Sequence, residues 1–215
     1  MKTILHLKKT NAFLILSLMI GHFSFGQHEE EIQRGKTAYF NKDYDVAAEL
    51  HIRNSNYLDG EGLMRLGYMF QVGLGVGQSY VSARNYYEKA SDKNNAQAMY
   101  NLGGMYYEGW GVDQDISKAF YYFDKAGNLE HKDAMNNLGV FYRDAKWVNR
   151  DYAKAKYWFE KAVDKGHVEA MLNLGMLYYN GRGVNKNRNV CLYWLEKACA
   201  KGNKIACDNL SNDQF

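Results

Sequence analysis

Two groups of residues in the sequence have types and spacings that suggest chemistry. Residues 73–77 read Gly-Leu-Gly-Val-Gly, like a phosphate-binding loop, but no strand pattern precedes them and the turn recurs downstream without nucleotide-motif spacing. Asp115 and Asp151 are candidates for a pair of acids, yet each stands where a helix begins, and aspartate at that position caps free N–H groups. We therefore predict a turn and two helix caps in place of catalytic groups.

Histidine and serine motifs give no stronger signal. His131 and His167 lie one repeat apart, without a cluster of Cys or acids at ligand spacing around them. The chain contains neither Ser-x-x-Lys nor Lys-Thr-Gly, the motifs of serine β-lactamases. We predict that the protein is not an enzyme and that it has no catalytic residue, metal site or cofactor.

The N-terminus has the order of a signal peptide. Residues 1–26 combine three lysines, a short apolar run from Ala12 to Ile20 and a small-residue ending. The apolar run is much shorter than the roughly 20 residues of a membrane-spanning helix, so no stable span is expected after cleavage. We predict export, with a periplasmic or extracellular destination after removal of residues 1–26. The alternative is an uncleaved anchor.

Charge excludes one class of partner. The whole chain has 27 basic and 24 acidic residues, and the predicted signal peptide carries three lysines and no acid. The remainder is therefore balanced, whereas a nucleic-acid partner would require a basic surface.

An internal period of 36 residues dominates the remaining sequence. A Leu-Gly pair recurs at this interval, beginning at residues 66, 102, 138 and 174. Within one unit Ala98, Leu102 and Tyr106 are four residues apart and share a helical face. Glycine-rich turns separate two helices per unit, and the second helix opens with a capping residue. These capping residues are Ser79, Asp115, Asp151 and Asn187.

Such helix pairs cannot bury their apolar faces alone, so neighbouring units must stack. We predict an all-α fold, a right-handed α-solenoid of antiparallel helix pairs with a concave and a convex face. The repeat pattern, Ala-x-x-x-Leu-Gly-x-x-Tyr-x-x-Gly-x-Gly-Val followed by Asp-x-x-x-Ala-x-x-Tyr-Phe-x-x-Ala, resembles the SLR (Sel-one-like repeat) branch of tetratricopeptide-like proteins. The resemblance covers Glu61 to about Ile205.

The predicted organisation has four parts. They are a signal peptide (1–26), a degenerate tetratricopeptide-like helix pair (27–60), four SLR units (about 61–96, 97–132, 133–168 and 169–204) and a C-terminal capping helix (205–215). We expect Asp43 to cap the second helix of the degenerate pair. The third SLR unit has Ala145 and Trp147 where the family has turn glycines, so we expect that loop to take another shape.

All three cysteines lie near the C-terminus, and export makes a disulfide chemically possible. The spacing of Cys199 and Cys207 is similar to that of cysteine-rich SLR proteins, in which the corresponding pair is bonded, and this resemblance implies a bond here. The alternative is three buried small residues. Cys191 replaces a repeat alanine, which predicts a packed thiol.

The resemblance also implies a function in protein binding. The leading hypothesis is a non-enzymatic adaptor of the bacterial cell envelope that binds a protein or peptide partner on the concave face. Flexible Met beside amide and aromatic groups suits such a partner. The candidate partner-binding residues are Asn101, Asn137, Asn173, Met99, Met135, Met171, Tyr107, Arg143, Tyr179 and Trp147. The asparagines have an alternative role, in hydrogen bonds to the adjacent helix. The alternative functions are a cell-wall-directed enzyme, β-lactamase-like or another hydrolase, and a structural envelope protein.

Overall fold

The computed structural model describes residues 26–211, which form eleven α-helices and no strand. The helices are α1 (26–40), α2 (Tyr44–Arg53), α3 (Gly60–Val72), α4 (Tyr80–Asp92), α5 (Ala96–Glu108), α6 (Ile116–Asn128), α7 (Lys132–Asp144), α8 (Tyr152–Asp164), α9 (Val168–Asn180), α10 (Arg188–Ala200) and α11 (Lys204–Ser211). The predicted all-α helical-repeat fold is confirmed. The predicted signal peptide, apart from Gly26, and residues 212–215 of the predicted capping helix lie outside the described residues.

The second helices begin as the sequence predicts. In the four SLR units, the side chain of each predicted capping residue of a second helix accepts a hydrogen bond from the backbone N–H three residues later. For example, Asp115 Oδ1 accepts from Lys118 N at 3.0 Å and Asp151 Oδ1 accepts from Lys154 N at 2.9 Å. Each carboxylate satisfies one N–H group that a helix start leaves without a partner. Asp115 and Asp151 are therefore structural caps, as predicted.

The chain divides into two compact units, one up to Tyr86 and the other from Tyr87, and the division falls within α4. In the first unit, the expected side-chain cap of Asp43 is absent, so that prediction is wrong. Asp43 precedes α2, but only its backbone carbonyl takes part, accepting from Ala47 N at 3.0 Å. The start of α2 is instead stabilised by packing, because Ala38, Ala47 and Met69 are buried in one apolar cluster.

The prediction that the glycine-poor turn of the third repeat takes another shape is also wrong. Ala145 and Trp147 adopt φ of 57° and 64°, close to the 76° and 67° of Gly109 and Gly111 in the preceding unit. The closing hydrogen bond is kept as well, with Asp151 N donating to the carbonyl of Tyr142 at 3.0 Å. The helix pair on either side imposes the turn, although a left-handed φ costs a non-glycine residue about 1–2 kcal/mol.

In the second unit, each first helix packs most extensively on the second helix of its own repeat, and each second helix packs on the first helix of the next. The repeat leucines Leu102, Leu138 and Leu174 are fully buried in equivalent interior positions. Each repeat therefore supplies apolar surface that covers the neighbouring repeat, which is the basis of a stacked repeat protein.

Two adjacent glycines of α5 provide a stability test. A Cβ atom added to Gly103 would lie 2.6 Å from two ring atoms of buried Phe123, whereas one added to Gly104 would meet no atom within 4 Å. We expect Gly103→Ala to lower the free energy of unfolding by about 1–3 kcal/mol through overpacking. Gly104→Ala should raise it by about 0.5–1 kcal/mol through better helix propensity. Urea denaturation measures both, and changes of the same sign would contradict this account.

Within residues 26–211, no helix combines the length and apolar character needed to cross a membrane.

Candidate protein-binding surface

The three methionines predicted to line an exposed groove are buried. Met99, Met135 and Met171 are 3%, 3% and 4% exposed and belong to the apolar clusters between helices. Each stands three residues before the repeat leucine and therefore shares its inward face. The prediction that they contact a partner from a groove is wrong, because each is covered by the second helix of its own repeat and by the helix that follows.

Two asparagines of the predicted series, Asn101 and Asn173, hydrogen-bond to neighbouring side chains. Asn173 is buried, its Nδ2 donates to Asn136 Oδ1 at 3.0 Å, and its Oδ1 accepts from Arg143 Nη1 at 2.7 Å. Asn101 Oδ1 accepts from Gln97 Nε2 at 3.0 Å. The alternative role, a bond to the adjacent helix, is therefore confirmed for Asn173. Half-buried members of the series are Asn101, Asn137 and Asn209.

Arg143 is half-buried at the end of α7. Its Nε and Nη2 donate to the two carboxylate oxygens of Asp144 at 2.7 and 2.9 Å, while Nη1 holds Asn173. This hydrogen-bonded pair raises the pKa of Arg143 and lowers the pKa of Asp144. Arg143 therefore has a structural role, and its removal would leave the buried Oδ1 of Asn173 without this donor.

Tyr107 and Tyr179 occupy the same repeat position as Arg143 and are half-buried. The hydroxyl of Tyr107 accepts from Lys146 Nζ at 2.6 Å, and the same ammonium group lies 5.2 Å from the centre of the Tyr107 ring. Lys186 Nζ lies 5.3 Å from the ring centre of Tyr179. Both aromatic rings are thus held beside a lysine at the ends of the first helices.

Two tryptophans at turn tips are exposed, and Trp147 is the most exposed of the large hydrophobic side chains among the described residues of the second unit. Trp147 is 64% exposed and Trp110 is 42% exposed. Nearby, the guanidinium carbons of Arg150 and Arg182 lie 5.9 and 5.8 Å from the ring centre of Tyr152. Sequence reasoning missed this arrangement, because it depends on two successive turns being brought together by packing.

His131 and His167 are helix caps, a role that the sequence analysis missed. Nδ1 of His131 accepts from Ala134 N at 3.3 Å, and Nδ1 of His167 accepts from Ala170 N at 3.0 Å. The signal was present in the sequence, because every first helix from α3 onward follows a capping residue at the 36-residue interval. These residues are Asp59, Asn95, His131, His167 and Asn203.

The second ring nitrogen of each histidine bonds to a side chain on the preceding first helix, α5 for His131 and α7 for His167. His131 Nε2 lies 3.0 Å from Gln97 Oε1, and His167 Nε2 lies 3.2 Å from Asp133 Oδ1. Since Nδ1 accepts a hydrogen bond, Nε2 carries the proton in both rings and donates to these oxygens. Burial is the largest influence and lowers the pKa of both histidines, although the nearby carboxylate of Asp133 acts in the opposite direction.

We expect acid to destabilise the protein through these two caps. Protonation of Nδ1 removes the lone pair that accepts the helix N–H. Because the folded-state pKa values lie below the ordinary 6.5, the unfolded chain binds more protons, so stability is complete above about pH 6.5 and falls as the pH drops below it. Loss of both caps should cost about 1 kcal/mol each, measured by urea denaturation between about pH 7 and pH 5.

A double substitution of His131 and His167 by asparagine is the matched control, since Asn95 and Asn203 cap α5 and α11 at the same repeat position. The variant should keep its stability at neutral pH and lose much of the acid dependence. His51, whose pKa burial also lowers, will contribute an acid dependence of the same sign in both proteins. Identical pH profiles for variant and wild type would contradict the capping account.

The cysteines follow the sequence prediction. Cys199 and Cys207 form a disulfide that joins the end of α10 to α11. Cys191 is a buried free thiol, and burial raises its pKa. A buried thiol with a raised pKa is a poor nucleophile, which fits a packing role.

Within the described part of the chain, no group of three or more His, Cys, Asp or Glu side chains could hold a metal ion. Residues 73–77 form the turn between α3 and α4, as predicted. The fold and the surface together define an α-helical repeat protein with aromatic and basic side chains at the turns within its repeats.

The chain belongs to the Sel1 repeat family. The family's sequence model matches four consecutive segments, which are residues 60–95, 96–131, 132–167 and 168–203. Proteins with these repeats generally mediate protein–protein interactions. No curated protein matches the chain in a sequence comparison.

Solved structures agree with this assignment. The chain is similar to a Sel1 repeat protein from Oxalobacter formigenes, with 30% identity and a TM-score of 0.77 over 81% of this chain and 71% of that protein. It also resembles c5321, a protective antigen of uropathogenic Escherichia coli strains with an SLR fold, at 30% identity and a TM-score of 0.78. That match covers 83% of this chain but only 39% of c5321.

Proposed function

We propose that the protein is a non-enzymatic adaptor of the bacterial cell envelope, which binds a protein or peptide partner on the concave face of its helical solenoid. In this proposal the face is formed by the first helices of the repeats, including α5, α7 and α9. The family to which the chain belongs supports protein binding as its general activity.

The observation that carries the proposal is the row formed by Tyr107, Arg143 and Tyr179. These side chains recur at 36-residue intervals, are partly exposed, and are each held by a charged neighbour. A side chain that is already ordered loses less conformational entropy when a partner binds. A row of ordered aromatic and guanidinium groups is therefore suited to binding an extended segment.

Two observations support the envelope location. Residues 1–26 have the order of a signal peptide, and Cys199 is bonded to Cys207. Disulfides persist mainly in oxidising compartments such as the periplasm or the extracellular space. Mass spectrometry of the protein from fractionated cells should find an N-terminus at Gln27, and a cytoplasmic chain that retains residues 1–26 would contradict export.

Site-specific photo-crosslinking tests the binding face. A photoreactive phenylalanine analogue at Tyr107 or Tyr179 should give one discrete adduct with a partner protein in vivo. The same analogue at Tyr121 or Tyr157, exposed on the second helices, should not give that adduct. Adducts only from the second helices, or no adduct from any position, would count against the proposed face.

The alternative functions are tested with the same purified protein. We expect no hydrolysis of a chromogenic β-lactam or of muropeptides. Turnover that co-purifies with the protein through successive columns would support the cell-wall-directed enzyme. A structural envelope component would instead give self-adducts in the crosslinking experiment.

A further inference from the structure

The turn of the third repeat, residues 145–150 between α7 and α8, carries a residue that the shape of the turn does not require. Trp147 has φ of 64°, and the equivalent positions in the neighbouring turns are glycines with φ of 67° and 70°. The turn also keeps its closing bonds, including Lys146 N to the carbonyl of Phe141 at 3.1 Å. Glycine would form the same turn without the steric cost of a left-handed tryptophan.

Trp147 does not repay this cost by packing, because it is 64% exposed. A large aromatic residue that is both strained and exposed stabilises the folded chain little, whereas tryptophan is enriched among the anchor residues of protein interfaces. This combination of backbone strain and exposure is typical of a residue that contacts a partner protein.

The surroundings of Trp147 are basic. Residues 145–150 and 181–186, which form two successive turns, contain four cations and no acid. The cations are Lys146, Arg150, Arg182 and Lys186. By contrast, the preceding turn at residues 109–114 contains Asp113 and no cation. The nearest carboxylates in sequence have other roles, since Asp144 pairs with Arg143 and Asp151 caps α8.

Packing brings the two turns to one aromatic ring. Arg150 and Arg182 both lie just under 6 Å from the ring centre of Tyr152. Close approach of the second turn depends on Gly183, because a Cβ atom there would lie 2.6 Å from Tyr152 Cβ. Two guanidinium groups are thereby held beside one tyrosine, and Trp147 belongs to the first of the two turns.

We propose that this turn edge, defined as Trp147, Arg150, Tyr152 and Arg182, binds an acidic segment of a partner protein. Carboxylates of the segment pair with the two guanidinium groups, and an apolar or aromatic side chain of the segment packs on Trp147. This proposal rests on the proposed function in protein binding and adds a second contact surface with a defined partner chemistry. Charge complementarity selects the acidic partner.

Calorimetric titration of the purified protein with a glutamate–tyrosine copolymer tests the proposal. We expect binding that weakens at least about tenfold in Trp147→Gly, since an interface anchor is lost. The same variant should melt at a higher temperature than the wild type, because the turn regains its glycine. Loss of binding in a more stable protein excludes unfolding as its cause. Trp147→Asn, which tolerates a left-handed φ, is the second variant if Trp147→Gly does not fold.

Two further variants separate the charge contribution from the aromatic one. The double variant Arg150→Gln with Arg182→Gln should also bind at least about tenfold more weakly and should lose most of the salt dependence of binding. Trp110→Leu, which introduces the residue found at Leu74 in the equivalent turn position, should bind like the wild type.

Three outcomes would overturn the proposal. They are no binding of the copolymer, unchanged binding by Trp147→Gly, and equally tight binding of polyphosphate with the same dependence on these residues, which would indicate a general polyanion site. The crosslinking at Tyr107 and Tyr179 is independent of this titration. A partner adduct there together with a failed titration would reject the turn edge alone, whereas the absence of any adduct would reject the proposed function.

Discussion

Phe159→Ala should lower the free energy of unfolding by about 3–5 kcal/mol. The ring projects from α8, is fully buried, and belongs to a cluster that includes Met135 of α7 and Leu174 of α9. Its removal deletes apolar surface and leaves a cavity that neighbouring rigid helices cannot close. Urea denaturation of the purified protein gives the value. Tyr157→Ala, on the same helix but half-exposed, should cost less than about 1 kcal/mol and is the matched control.

A double-mutant cycle with Gly139 separates the specific packing of the Phe159 ring from a general loss of buried apolar surface. A Cβ atom added there would lie 2.4, 2.5 and 2.9 Å from three ring atoms of Phe159. Gly139→Ala should therefore destabilise the wild type, yet be neutral or stabilising when Phe159 is already alanine. The expected coupling energy is about 1–3 kcal/mol. If the two changes in the free energy of unfolding are additive, Gly139 is not required for the packing of the Phe159 ring.

Reduction of the Cys199–Cys207 disulfide should lower the stability of the last helix by about 2.5 kcal/mol. The bond spans a sequence separation of 8 residues, and closing a loop of this length removes about that much chain entropy from the unfolded state. Helix α11 has only 8 residues and is too short to persist without tertiary contacts. Hydrogen exchange of the amides in α11, with and without reductant, measures the local change.

Cys191→Ala provides the control for the disulfide experiment. Alanine occupies the equivalent place at Ala119 and Ala155, so the variant should fold and keep the bond. Its sensitivity to reductant should match that of the wild type. If the effect of the reductant disappears with Cys191, or if α11 exchanges equally fast in both redox states, the stabilising role of the bond is wrong.

The sequence by itself determined the helix pairs and most of their boundaries. Both depend on short-range physics, because apolar residues at helical spacing define a face and capping side chains act within three residues of a helix start. Asp115 and Asp151 were therefore identified as caps from type and position alone. His131 and His167 carried the same positional signal, but histidine is a less common cap and the role was not recognised.

Tertiary structure decided which surfaces remain free. Met99, Met135 and Met171 are buried by the second helix of their own repeat and by the helix that follows, since they share the inward face of the repeat leucine. Packing also held the third turn in its left-handed shape without glycine, because the flanking helices fix the two ends of a short connection. Local sequence preference could not predict either result, since both are set by contacts between residues far apart along the chain.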